Sequence, residues 1–155
     1  MSTAPTVRFH HISLSVADLP ALEAWYGRAF GLDRVEERLE LPDAGVRTVV
    51  LSNPGDPDGL RVELVQRPGS EPAAPADAFA ATAVQTYTHL ALHVADLDAA
   101  FARLTGECGA APVSSPAPGV TDGMRYAYVA DPEGNLLELI GTTAPSGAGP
   151  TAEAS

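Results

Sequence analysis

The strongest regularity in the chain is an alternation of apolar and polar positions followed at once by a helical stripe, and it occurs twice. Ile12, Leu14 and Val16 fall on one face of the first segment, and His11, Ser13 and Ser15 on the other, which is the period of a strand with one covered side. Leu22, Trp25, Tyr26, Ala29 and Phe30 then recur at helical spacing, with Asp18 where an N-cap belongs and Gly31 placed to end the helix. The pattern returns 78 residues later, where Leu90, Leu92 and Val94 oppose His89, Ala91 and His93. Asp96 caps a shorter stripe of Leu97, Ala100, Phe101 and Leu104 that stops near Gly106.

Further strand patterns follow each helix. They are Arg47 to Leu51 and Leu60 to Val65 in the first copy, with a weaker one around Val35 to Leu41, and Arg125 to Ala130 and Leu136 to Ile140 in the second. Turn chemistry separates them, at Asn53 to Gly59 and at Asp131 to Asn135. The pattern predicts an α+β fold of two tandem βαβββ modules, residues 8–67 and 88–141. A linker over 68–87 is expected to hold a short helix in its alanine-rich part near Phe79. Residues 142–155 are, apart from Glu153, Ala, Gly, Pro, Ser and Thr with little apolar bulk, and are expected to be disordered.

Composition narrows the function. The 155 residues carry 20 acidic against 9 basic side chains, a net charge of −11, and every basic residue is an arginine. Without lysine there is no Schiff base and no Walker-type phosphate lysine. The acidic balance argues against nucleic acid as a partner. A single cysteine, Cys108, precludes an intrachain disulfide. Neither a basic-then-apolar leader nor a long apolar run is present, so a soluble, cytoplasmic protein with no membrane partner is expected.

Four residues hold matched places in the duplication. His11 and His89 open the first strand of each module, and Glu63 and Glu138 lie in the last, 52 and 49 residues further on. Each glutamate sits between apolar neighbours, Val62 and Leu64 or Leu137 and Leu139. If those neighbours face the helix, the carboxylates share a side with the histidines, where uncompensated charge is costly. Two imidazoles and two carboxylates make a mixed nitrogen and oxygen ligand set for one divalent metal. Ligand type does not separate nickel, cobalt, zinc, manganese, magnesium or iron. His93, Ser13, Tyr126 and Tyr128 are candidates for contact with a small-molecule substrate. His10 is expected to point away from His11 in a structural role.

On these residues, together with Phe30-Gly-Leu and Tyr128-Val-Ala-Asp-Pro-Glu-Gly-Asn-Leu-Leu-Glu-Leu139, the chain resembles the vicinal oxygen chelate superfamily, the group of glyoxalases, bleomycin-resistance proteins and extradiol dioxygenases. The resemblance spans roughly residues 8 to 141. It implies sheets curled into a cup around the metal, His11, Glu63, His89 and Glu138 as ligands, and a homodimer. The first half, through Leu41-Pro-Asp-Ala-Gly-Val46 and Val62-Glu-Leu-Val-Gln-Arg-Pro68, is similar to methylmalonyl-CoA epimerases, but Thr48 stands where they carry a second catalytic glutamate. The activity expected is that of an isomerase, epimerase or lyase that enolises a small carbonyl compound, with Glu138 and then Glu63 as the proton carriers. The rival readings are a ferrous ring-cleaving dioxygenase and a metal-free drug-binding resistance protein.

Overall fold

The computed structural model describes residues 7–142, and the chain divides into two compact units, one ending at Pro72 and the other beginning at Ala73. The first contains β1 (Ile12–Val16), α1 (Leu19–Phe30), β2 (Arg34–Leu41), β3 (Val46–Asn53) and β4 (Asp56–Gln66). The second repeats the order with β5 (Leu90–His93), α2 (Leu97–Gly106), β6 (Ala111–Pro118), β7 (Met124–Ala130) and β8 (Leu136–Thr142). Both are four-stranded sheets of one topology, β1-β4-β3-β2 and β5-β8-β7-β6. The fold is therefore α+β, with two βαβββ modules. The first and last strands of each module run parallel and the other pairs antiparallel. Parallel neighbours cannot be joined by a tight hairpin, and the intervening helix and strands supply the crossover.

Each helix is set where its sequence signals put it. The Asp18 carboxylate accepts from Ala21 N at 3.1 Å and the Asp96 carboxylate from Ala99 N at 3.0 Å, satisfying first-turn amides that have no intrahelical partner. Gly31, at φ +68°, closes α1 with its amide donating to the Gly27 carbonyl. In the first unit α1 packs over β3 and β4, burying Leu22, Trp25 and Tyr26 with Val49, Leu51, Val62 and Leu64. In the second α2 packs over β6, β7 and β8, and Leu97, Leu104, Ala127, Val129, Leu137 and Leu139 are buried. The alternation Val62-Glu63-Leu64 and Leu137-Glu138-Leu139 thus turns apolar neighbours into the core and sends both glutamates to the opposite face.

Several boundaries differ from the expectation. The first-unit turn is confined to Pro54 and Gly55, so β4 starts at Asp56 rather than Leu60. β2 is a full edge strand, exposed throughout and guarded by Arg34, Glu36, Glu37, Arg38 and Glu40. β6 has no apolar alternation and contains Pro112, Pro116 and Pro118; it survives as an edge strand whose register with β7 shifts around those prolines. The short helix near Phe79 is a 3-10 turn over Ala80–Ala83. β8 runs one residue into the segment expected to be disordered, and residues 143–155 lie outside the described residues.

Candidate metal centre

Each unit builds one histidine–glutamate pair from the two ends of its module. In the first, Glu63 is brought beside β1 by the parallel register that pairs it with Ser13, and His11 Nε2 lies 3.4 Å from Glu63 Oε2. In the second, Glu138 pairs with Ala91, and His89 Nε2 lies 3.0 Å from Glu138 Oε2. Among the described residues of either unit, no group of three or more His, Cys, Asp or Glu side chains is gathered. Each unit by itself holds one histidine–glutamate pair.

The donor chemistry fits a divalent ion. Two adjacent ligands on bonds of about 2.1 Å stand about 3.0 Å apart at right angles and about 3.4 Å apart at the tetrahedral angle, and the nitrogen-to-oxygen separations of 3.4 and 3.0 Å lie in that range. The nitrogen facing the carboxylate is Nε2 in both units, and the histidine's other nitrogen is engaged elsewhere. Thr88 Oγ1 is 2.9 Å from His89 Nδ1, and His10 Nδ1 is 2.7 Å from His11 Nδ1. The last contact corrects the expectation that His10 points away. β1 begins at Ile12, so strand alternation does not reach back to residues 10 and 11, and the two rings meet edge to face.

The carboxylates differ in their surroundings. The Ser13 hydroxyl donates to Glu63 Oε2, so this residue, expected to touch substrate, is occupied by the glutamate beside it. In the second unit the place of Ser13 is taken by Ala91, and Tyr128 pairs with Glu138 from the other side, across β7 and β8. Burial first, and then the negative charge of Glu138, push the Tyr128 phenol up to about 12. Its ring meets His89 edge to face at 5.4 Å and Tyr126 at 5.9 Å. Tyr126 is opposite Ile140, which is opposite His93 at the exposed end of β5, so these side chains continue the glutamate face. Thr48, opposite Val65, lies on the Glu63 face of the first sheet.

The turn that delivers β8 is held by a buried carboxylate. Asp131 accepts from the amides of Glu133 and Asn135 and from the Asn135 side chain, while Gly134 adopts φ +88°. This turn fixes where β8 restarts and therefore the height of Glu138 opposite Tyr128. Thr88 and the gripping role of His10 were missed in the sequence. The available signal was that each immediately precedes a site histidine and carries a side chain able to donate or accept.

Comparisons with known proteins agree with this architecture. The family model described as Glyoxalase/Bleomycin resistance protein/Dioxygenase superfamily matches residues 8–139. No curated protein matches the chain. Among solved structures, a glyoxalase family protein from Bacillus cereus is similar with a TM-score of 0.69 at 21% identity, over 93% of this chain and 99% of that one. The trypanothione-dependent glyoxalase I of Leishmania major gives 0.64 at 20% identity over 88% and 87%. The fosfomycin resistance protein FosX of Listeria monocytogenes, in complex with Mn(II) and sulfate, gives 0.60 at 18% identity over 90% and 95%. These similarities concern the fold, and none of them singles out the methylmalonyl-CoA epimerases. Among the described residues no helix is long and apolar enough to cross a membrane.

Proposed function

Because the chain belongs to the Glyoxalase/Bleomycin resistance protein/Dioxygenase superfamily, we propose that it is a metal-dependent isomerase, epimerase or lyase acting on a small molecule with a carbonyl beside an acidic C–H. The observation that carries this reading is the repeated pairing of a histidine Nε2 with a glutamate oxygen at 3.4 and 3.0 Å in matched places of two modules. His11, Glu63, His89 and Glu138 are the proposed ligands of one divalent ion. Bound there, the ion would act as a Lewis acid that favours an enolate.

The chain's own groups would then handle the proton. Glu138 is the first choice as carrier, because it is the less exposed of the two carboxylates, Tyr128 faces it across the sheet, and the apolar neighbours Leu137 and Leu139 anchor the strand. Glu63, held by Ser13, is the second. Tyr126 and His93 line the same face of the second sheet and would contact the substrate. Thr48 has no basicity to replace a second carboxylate, so rapid epimerisation of methylmalonyl-CoA is not expected. The protein is proposed to work as a homodimer in the cytoplasm.

The test is elemental analysis of protein purified without added metal, followed by incubation with α-hydroxy ketones and thioesters in deuterated water. Deuterium at the carbon beside the carbonyl without oxygen consumption supports the reading. Oxygen uptake with a catechol overturns it in favour of a dioxygenase, and protein that takes up no metal overturns it in favour of a binding protein.

A further inference from the structure

The same relation appears in both units with different residues. His10 stands at one ring nitrogen of His11 while Glu63 faces the other, and Thr88 stands at one ring nitrogen of His89 while Glu138 faces the other. Both grips come from the immediately preceding residue. Regular strand alternation would send such neighbours to opposite faces, but each histidine precedes its strand by one residue, with β1 beginning at Ile12 and β5 at Leu90.

The two gripping side chains share one capacity. A hydroxyl donates and accepts, and a neutral imidazole nitrogen does either according to its tautomer. That capacity matters because Nε2 has two incompatible tasks. Facing an ionised carboxylate, which only accepts, Nε2 of a neutral ring carries the proton, and Nδ1 is then an acceptor. Acting as a metal ligand, Nε2 uses its lone pair, and the proton moves to Nδ1, which becomes a donor. A lysine or arginine in place of Thr88 could serve only the first state, and a carboxylate only the second.

We propose that His10 and Thr88 are positioning residues that grip Nδ1 of His11 and His89 in both states, reserving Nε2 for the metal and letting each histidine change tautomer when the ion enters. The inference rests on the metal reading above. The exchange conserves protons, since the ring releases one from Nε2 to solvent and takes one at Nδ1. Thr88 only turns its hydroxyl from donor to acceptor, whereas His10 must move its own proton from Nδ1 to Nε2. The hydroxyl grip is the simpler of the two.

The experiment uses the full chain with 15N-labelled histidine, and reads long-range 1H–15N correlations without metal and with Zn(II). His89 is expected to carry its proton on Nε2 without metal and on Nδ1 with Zn(II), with Nε2 as the coordinated nitrogen. Thr88→Val, which keeps the shape and deletes the hydroxyl, is expected to weaken Zn(II) binding about 10–100-fold, and Thr88→Ser to restore it. Coordination through Nδ1, or a valine variant that binds Zn(II) within about twofold of the parent, would overturn the proposal. If the parent takes up no Zn(II), the metal reading falls separately. The grip is then decided on the metal-free spectrum: a His89 Nδ1 resonance displaced in Thr88→Val and restored in Thr88→Ser upholds it, and an unmoved one rejects it.

Discussion

The two units share a frame and differ in what they place around the carboxylate. Glu63 and Glu138 occupy equivalent strands, each paired with the first strand of its module two residues beyond the site histidine. Yet Glu63 takes its hydroxyl from Ser13 on the first strand and has Val50 across the sheet, while Glu138 has Ala91 on the first strand and faces Tyr128 across the sheet. The second pair is also tighter and less exposed, with side chains 27% and 15% accessible against 34% and 22% in the first. A duplication of this kind preserves the backbone register that aims the two histidine–glutamate pairs and leaves the flanking positions free to diverge. The pairs are equivalent in their place in the module and unequal as chemical environments.

The largest effects follow from removing a ligand. His89→Ala and His11→Ala are both expected to strip the metal, with the fold retained because Leu97, Leu137 and Leu139, or Leu22, Val62 and Leu64, stay buried on the other face. Elemental analysis checks this, alongside thermal melting. A full metal complement in His89→Ala would end the assignment, and metal lost from only one of the two variants would break the equivalence of the pairs.

Deleting the hydroxyls sharpens the comparison. A hydrogen bond to a charged group contributes about 1.5–3 kcal/mol, so Ser13→Ala should loosen Glu63 and weaken metal binding by about 10–100-fold, whereas Tyr128→Phe, which removes the hydroxyl facing Glu138, should weaken it less. Turnover should fall more in Tyr128→Phe, because the carboxylate that Tyr128 faces, Glu138, is the proposed principal proton carrier. Equal losses in kcat, measured at saturating metal, would count against Glu138 as the principal proton carrier.

The pH dependence separates the units further. With its folded pKa near 12 against an ordinary value of 10, the Tyr128 phenol binds its proton more strongly in the folded chain. Its contribution to stability is therefore complete below pH 10 and is lost as the pH rises through about 12. Tyrosinate absorbance of metal-free protein, taken as the parent minus Tyr128→Phe, should show this late ionisation. Glu138→Gln should lower the value only part of the way, since burial is the larger cause and remains.

Much of this frame was legible in the sequence. The alternation in Ile12 to Val16 and Leu90 to Val94, the Asp18 and Asp96 caps and the glutamates between apolar neighbours all report local physics that the chain obeys directly. What escaped has physical reasons. β6 carries prolines that a central strand would exclude, and only its edge position makes them tolerable. β4 reaches back through Pro57 and Gly59 because a two-residue turn suffices after Asn53, whose side chain accepts from the Gly55 amide at 2.7 Å. The His10 and Thr88 contacts depend on where each strand starts, a boundary that periodicity does not set to within one residue.

The smallest expected difference is a test of sameness. Asp18 and Asp96 cap their helices with nearly identical geometry, at 3.1 and 3.0 Å to the amide three residues on. Replacing either with alanine leaves one first-turn amide without its side-chain acceptor, at a cost of about 1 kcal/mol. The helices are otherwise unlike. α1 has 12 residues and a left-handed glycine at its C-terminus, whereas α2 has 10 and ends at Glu107 in a right-handed conformation. α2 is instead tied in its first turn, where Arg125 of β7 donates twice to Asp98, at 2.5 and 3.1 Å. That tie is next to the cap and survives its removal, as the Gly31 closure survives at the far end of α1. Urea unfolding should therefore report similar losses for Asp18→Ala and Asp96→Ala. A loss at Asp96 larger by about 1 kcal/mol or more would show that the ion pair depends on the cap, and that the second helix is anchored as one cooperative cluster rather than by two separate contacts.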